Sequence, residues 1–334
     1  MFESIGTALH GATVNREEVK RLRDLIVYEG PDLKKSLIRF FSLLVLATGI
    51  ATYGLLGNNV ATIIGAMIVA PLMLPIMGLA FGISIGDTKA IKSTLLISLA
   101  GIATAIAIGY ILTLPISNFV QPQSIDQIMS RTSPRILDLL AALVTGLAGA
   151  FAMSRSDVSD TLPGVAIAIS LVPPLANTGI LLATSNYTLA MGSFLLFITN
   201  YFAILLTGAA LFALMGFSRA ARLNQSVNTR RKSIAIVLVM ISLIAIPLAY
   251  NGYNININNA ITQNVQDAST TWLNGTSYKV ASVNAENVNN TVILVVVGNG
   301  QLPPVQDLEQ QLDGKLYGRT LQVEVVPSNT YYLK

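Results

Sequence analysis

The sequence contains no cysteine and one histidine, His10. Disulfides, thiolate metal sites and thiol catalysis are therefore excluded, as is a zinc centre built on histidines. Charge is scarce as well, at 11% of residues against ~25% in a typical soluble protein. No Walker lysine, dinucleotide fingerprint or His/carboxylate cluster occurs, so neither enzyme activity nor a cofactor or metal is expected. Gly82-Ile83-Ser84-Ile85-Gly86 fits the G-x-S-x-G pattern of serine hydrolases. That chemistry needs a strand-to-helix elbow and a base, whereas this pentapeptide ends an apolar helix far from His10. It reads as packing.

What is abundant is apolar surface. Of 334 residues 52% are hydrophobic, and the mean hydropathy is +0.61. A membrane-spanning helix needs ~20 apolar residues, because that length crosses the hydrocarbon with every backbone hydrogen bond made internally. Seven such stretches are expected, near 37–57, 60–86, 91–114, 137–153, 163–184, 187–217 and 233–250. The first begins after about 36 polar residues and is long enough to span, so no cleaved leader is expected. The net charge of +4 is not a nucleic-acid signal here, since the basic residues flank apolar spans.

Lys and Arg also orient the chain. With the N-terminus inside, the inner segments hold fifteen of twenty-one basic residues. The outer ones hold Arg131, Arg135 and four residues of the C-terminal region. An odd number of spans then places the C-terminus outside. Residues 1–36 form a cytosolic amphipathic segment, with a capping box at Asn15 and Glu18 and an apolar face of Val19, Leu22 and Ile26. That helix lies on the membrane or packs under the bundle. Residues 37–250 form the transmembrane domain. Residues 251–334 are Asn-rich and read as a small extracytoplasmic α+β domain, with a helix near 259–273, strands near 277–284, 289–297 and 320–326, and a helix opening at Pro303-Pro304.

The run Asn58 to Asp87 is apolar with two prolines at its middle, Pro71 and Pro75, and Pro173-Pro174 interrupts the fifth span in the same way. Proline removes a donor and pushes its ring against the carbonyl one turn back. Backbone freed at membrane depth is satisfied only by protein, water or a solute. Shifted by 99 positions, Gly65 falls on Gly164, Pro75 on Pro174, Thr62 on Thr161 and Gly109 on Gly208. The repeats, about 37–114 and 137–217, each hold three spans and so run in opposite directions. This is the inverted-repeat plan of many transporters and channels. The other reading is that the prolines merely kink packed helices.

Pathway candidates are Asn58, Asn59, Thr62, Pro71, Pro75, Asp157, Pro173, Pro174 and Asn177. Under the shift Asn58 pairs with Asp157, and Asn177 offers its amide either to a solute or to the local backbone. Gly78, Gly82 and Gly86, with Ala142, Gly146 and Ala150, form small-residue stripes for close helix approach, within or between protomers. No ionisable residue lies at mid-span, which disfavours a proton relay through carboxylates.

The stretches LLVLATGIATYGLLGNN, ATIIGAMIVAPLMLPI, RTSPRILDLLAALVTGLAGAFA, GVAIAISLVPPLANTGILLA and FLLFITNYFAILLTGA resemble a bacterial and archaeal family of hydrophobic proteins, domain of unknown function 389. The resemblance covers about 37–217, and GNGQLPPVQDLEQQL is similar to the short C-terminal domain of some members. It implies a multi-pass protein of a prokaryotic cell membrane and names no substrate. The chain is thus expected to be an all-α polytopic protein of two inverted three-helix repeats with broken helices, a seventh span and a small α+β domain. Its partners would be the bilayer, further copies of itself and a small polar or ionic solute. The expected function is a channel or facilitative transporter; the alternative is a structural or sensory membrane protein whose outer domain binds a partner or signal.

Overall fold

The computed structural model describes residues 13–155, 171–221, 257–258, 260–285 and 290–328. Its contacts divide the chain into two units, Met1–Leu248 and Ala249–Lys334. The seventh expected span, the first part of the fifth and Asp157 lie outside the described residues.

In the first unit α1 spans Arg16–Ile26, with Asn15 accepting the Glu18 amide at 2.9 Å as its N-cap and Leu22 and Ile26 buried. It packs beneath the helices that follow, against α4, α7 and α10. Then come α2 (Leu33–Leu56), α3 (Val60–Val69), α4 (Met73–Ile85) and α5 (Thr88–Thr113). Two short 3-10 turns and α6 (Asp126–Met129) lead to α7 (Ile136–Ser154). After residues outside the description, α8 (Val172–Ala183), α9 (Tyr187–Leu214) and α10 (Phe217–Ala221) complete the unit. Four helical stretches, Leu33–Leu56, Thr88–Phe119, Ile136–Ser154 and Tyr187–Leu214, are long and apolar enough to cross a membrane. The pair α3 and α4, bent by 51°, makes a fifth if taken as one span. These helices suit a membrane protein.

Their packing follows the same logic. Leu, Ile and Val stand exposed on the outside, among them Leu46, Leu96, Leu99, Leu137 and Val144. The inside holds Phe, Leu, Ile and Met together with small residues and threonines. Hydrocarbon gives apolar side chains no drive to hide, so close backbone approach holds such a bundle. The buried hydroxyls of Thr48, Thr52, Thr94, Thr113 and Thr178 each donate to the carbonyl four residues back, which satisfies them within their own helix. Phe81, Phe212 and Phe217 meet edge to face with centroids 5.7 to 5.9 Å apart, joining α4 to α9 and α10.

Proline acts differently from the expected double break. The interruption of the second span is only the three residues Ala70–Leu72, around Pro71. Pro75 is the third residue of α4, and Pro173 and Pro174 are the second and third of α8. In a helix's first turn the missing N–H would have had no intrahelical acceptor, so proline opens these helices rather than breaking them.

The second unit has a helix, α11, at 260–272, strands β1 (Lys279–Asn284) and β2 (Thr291–Gly298), helix α12 (Val305–Gln311) and strand β3 (Thr320–Pro327). β2 is central, antiparallel to β1 and parallel to β3. Alternate residues of β2, Val292, Leu294 and Val296, are fully buried with Ile261, Val265, Trp272 and Leu308. Trp272 Nε1 donates to the Pro304 carbonyl at 2.9 Å, tying α11 to the start of α12.

Candidate functional site

The 99-residue offset found in the sequence also relates the described elements. α4 begins at Met73 and α8 at Val172; α5 begins at Thr88 and α9 at Tyr187. The contacts exchange as well. A Cβ on Gly109 of α5 would lie 2.6 Å from the carbonyl oxygen of Ala176 in α8. One on Gly208 of α9 would lie 3.0 Å from Sδ of Met77 in α4. Gly109 and Gly208 are equivalent under the offset, and so are Ala176 and Met77. Each half thus places the same glycine against the same point on the other half's proline-opened helix.

Two cavities flank these helices. One, of about 430 Å³, runs from Ser130, Arg131, Arg135 and Asp138 past Met67 of α3 to Pro174 and Asn200. The other, of about 460 Å³, is walled by Asp32, Ser36 and Arg39, by the end of α1, and by Leu74 in the first turn of α4. Asp32 and Arg131 are 99 positions apart, as are Ser36 and Arg135, and Arg39 and Asp138. The cavities therefore share three equivalent positions, and at two of them, Asp32/Arg131 and Arg39/Asp138, the charge is interchanged. They lie toward opposite ends of α2: Asp32 precedes its first residue, whereas Asn58, just past its last turn, accepts the Gln127 amide at 3.0 Å beside the Arg131 segment.

At the first cavity Asp138 Oδ2 takes the Arg135 amide at 3.2 Å and lies 3.8 Å from Arg135 Nε. Arg131 Nη1 donates to the carbonyl and Oε1 of Gln127 and to the Ser130 hydroxyl. Burial works against its charged form and draws the guanidinium below its ordinary value.

At the second cavity α1 is fastened in place. Arg23 pairs with Asp87 and with Glu29, the latter at 2.8 Å. Arg21 Nη2 donates to the Ser154 carbonyl at 2.9 Å, and the Ser93 hydroxyl to the Tyr28 carbonyl at 2.8 Å. Burial pushes the Tyr28 phenol up to about 12 against the opposing pull of Arg39. Burial alone would raise the Asp87 carboxyl, but the Ala90 amide and the Arg23 guanidinium hold it below the usual carboxylate range. Asp87 also N-caps α5 through the Lys89 and Ala90 amides, at 3.0 and 3.2 Å.

The other candidates fall as follows. Asn59 caps α3 by accepting the Thr62 amide at 3.0 Å. Asn177 is buried; its Nδ2 donates to the Ile128 carbonyl and the Ser193 hydroxyl, both at 3.1 Å. Its Oδ1 has no hydrogen-bond partner among the described residues. Gly78 lies directly under the Ile26 carbonyl of α1 and beside Thr94, and Gly82 faces Ile91. Gly86, at φ +75°, closes α4 in the left-handed conformation, which glycine adopts without strain. Gly146 of α7 meets Ile204 and Thr207 of α9, with Ala142 and Ala150 fully buried on the same helix. Arg131, Asp138, Asp32 and Arg39 were not among the candidates, although the offset that matches glycines and prolines also aligns these charges in opposite sense.

A helical bundle with proline-opened helices and two charge-lined cavities defines a class of membrane-type protein. The family called domain of unknown function 389 matches residues 67–206. An uncharacterized protein of Methanocaldococcus jannaschii is 30% identical over 233 residues, which covers 68% of this chain and 70% of that protein. The chain belongs to this family.

Proposed function

We propose that the chain is a membrane channel or facilitative transporter for a small polar or ionic solute, built from two inverted three-helix repeats followed by a seventh span. The N-terminus is then cytosolic, the C-terminal unit extracytoplasmic, and the bilayer that of a prokaryotic cell. The observation that carries this reading is the pair of cavities, each ending at the first turn of a proline-opened helix, Leu74 in one and Pro174 in the other. A solute would enter beside Arg131, pass the interruption at Ala70–Leu72 and leave beside Arg39. The exchange of Gly109–Ala176 for Gly208–Met77 supports a two-fold relation between the repeats. In this arrangement interrupted helices meet near the midplane, where freed peptide groups replace a solute's water.

One observation favours the alternative, a structural or sensory protein. The Pro174 carbonyl already accepts the hydroxyls of Thr178 and Ser193, at 2.8 and 3.0 Å, so in this first turn of α8 that carbonyl is satisfied by its neighbours. Flux of a panel of ions and small neutral solutes into proteoliposomes separates the two. The transport reading expects flux for at least one solute, altered in Pro75→Ala and Pro174→Ala. Flux of none, with both variants folded like the parent, would leave the packing reading standing.

A further inference from the structure

The Arg131 cavity has a polar end and an apolar body. Arg131, Arg135 and Asp138 stand at the polar end, giving two cations to one carboxylate. The carboxylate is engaged with Arg135. Arg131, half-buried, donates to the neutral oxygens of Gln127 and Ser130 and has Asp138 acting on it only across the cavity, with no direct ion pair among the described residues. A charge held away from water with neutral acceptors only gains from an anion brought within hydrogen-bond reach, and guanidinium geometry suits the two oxygens of a carboxylate or phosphate.

The rest of the wall does not suit a simple inorganic ion. Ile64 and Ile68 of α3 line the cavity while 48% and 52% exposed, and Ala141 of α7 is exposed beside them. A hydrated ion at the arginines would make no use of that apolar strip, which an alkyl chain can lie along. The volume of about 430 Å³ falls in the ~300–1,000 Å³ range of sites for organic ligands.

We infer that this cavity binds an amphiphilic anion, with one phosphate or carboxylate group on Arg131 and Arg135 and an alkyl body along Ile64, Ile68 and Ala141. The same chemistry is presented by a soluble organic anion and by an anionic lipid of the surrounding leaflet. The site does not depend on transport: a chain that binds such an anion and carries nothing keeps this site and loses the pathway.

The test uses the full chain in a neutral maltoside detergent, with thermal unfolding as readout and octyl phosphate as probe. Octyl phosphate is expected to raise the midpoint by several degrees, and octyl glucoside or inorganic phosphate at the same concentration by far less. Arg131→Gln with Arg135→Gln should abolish the shift. Ala141→Phe, which leaves both arginines and narrows the apolar part, should weaken octyl phosphate by about tenfold in Kd, and it carries the test if the arginine variant does not fold. No shift in the parent, an undiminished shift in Ala141→Phe, or a shift matched by inorganic phosphate overturns the inference. In nanodiscs of phosphatidylcholine, adding phosphatidylglycerol identifies the source. Competition with octyl phosphate assigns the site to lipid; undisturbed binding assigns it to a solute; either result requires the site.

Discussion

Around Arg131 and Asp138 the cavity wall consists of bundle helices and the turn that leads into α7. Around Asp32 and Arg39, at equivalent positions, the last turn of α1 and residues 27–31 form part of the wall. The two places thus match in where helices begin and where charge sits, and differ in what completes the wall. At the second cavity that is α1. Its fastenings are local: the Ile26 carbonyl against Gly78, Arg23 on Asp87, and Ser93 on Tyr28. With Leu22 and Ile26 buried in the core, these polar contacts and the close backbone approach set where the helix docks.

The largest effect should come from forcing the halves apart. At Gly109 an added methyl meets the backbone of Ala176, which cannot move aside; at the equivalent Gly208 it meets the flexible end of Met77. Gly109→Ala is expected to destabilise by about 3 kcal/mol and Gly208→Ala by about 1 kcal/mol or less, read from denaturant midpoints. Equal losses would mean that the two glycines do not face their partners as described. A smaller effect loosens α1 from the bundle. Asp87→Ala loses both the ion pair and the α5 cap, and should cost about 1–2 kcal/mol. Asp87→Asn keeps a capping oxygen and loses only the charge, so it should cost less. Both should speed tryptic cleavage within α1, at Lys20, Arg21 or Arg23, and leave octyl phosphate binding at the other cavity unchanged.

The mildest perturbation is acid. Asp87 is held below its unfolded value, so its contribution is complete above the ordinary carboxylate pKa of ~3.9 and disappears as pH falls through the lower folded value. Docking of α1 should therefore be constant across neutral pH and weaken below about pH 4. Asp87→Asn should abolish that dependence. A cleavage rate in the parent that stays flat to lower pH would remove Asp87 from the fastening.

Much of this was legible in the residues. The N-cap at Asn15 (though Glu18 turns to Arg21 instead of closing a capping box), most helix boundaries within the described residues and the C-terminal strand pattern follow from periodicity and from Gly and Pro punctuation. The prolines marked the right places for a different reason, because a ring that breaks a helix interior starts a helix comfortably. Gly78 and Gly86 looked alike at four-residue spacing; one makes room for a carbonyl of a distant segment and the other ends a helix, and spacing does not distinguish the two. The four cavity charges stayed hidden because identity under a shift rewards like with like. Asp32 against Arg131 and Arg39 against Asp138 register as mismatches until the three-dimensional positions are known.

The seat of α1 bears on how the molecule comes together during synthesis. Every surface that receives this helix is made after it: Gly78, Asp87 and Ser93 lie more than fifty residues downstream, and Ser154 far later still. The helix, translated before the surfaces that receive it, must therefore wait, solvated by Arg16, Glu17, Glu18, Lys20 and Asp24, until the helices above it have paired. Closure of that face is a late event in the life of each newly made chain.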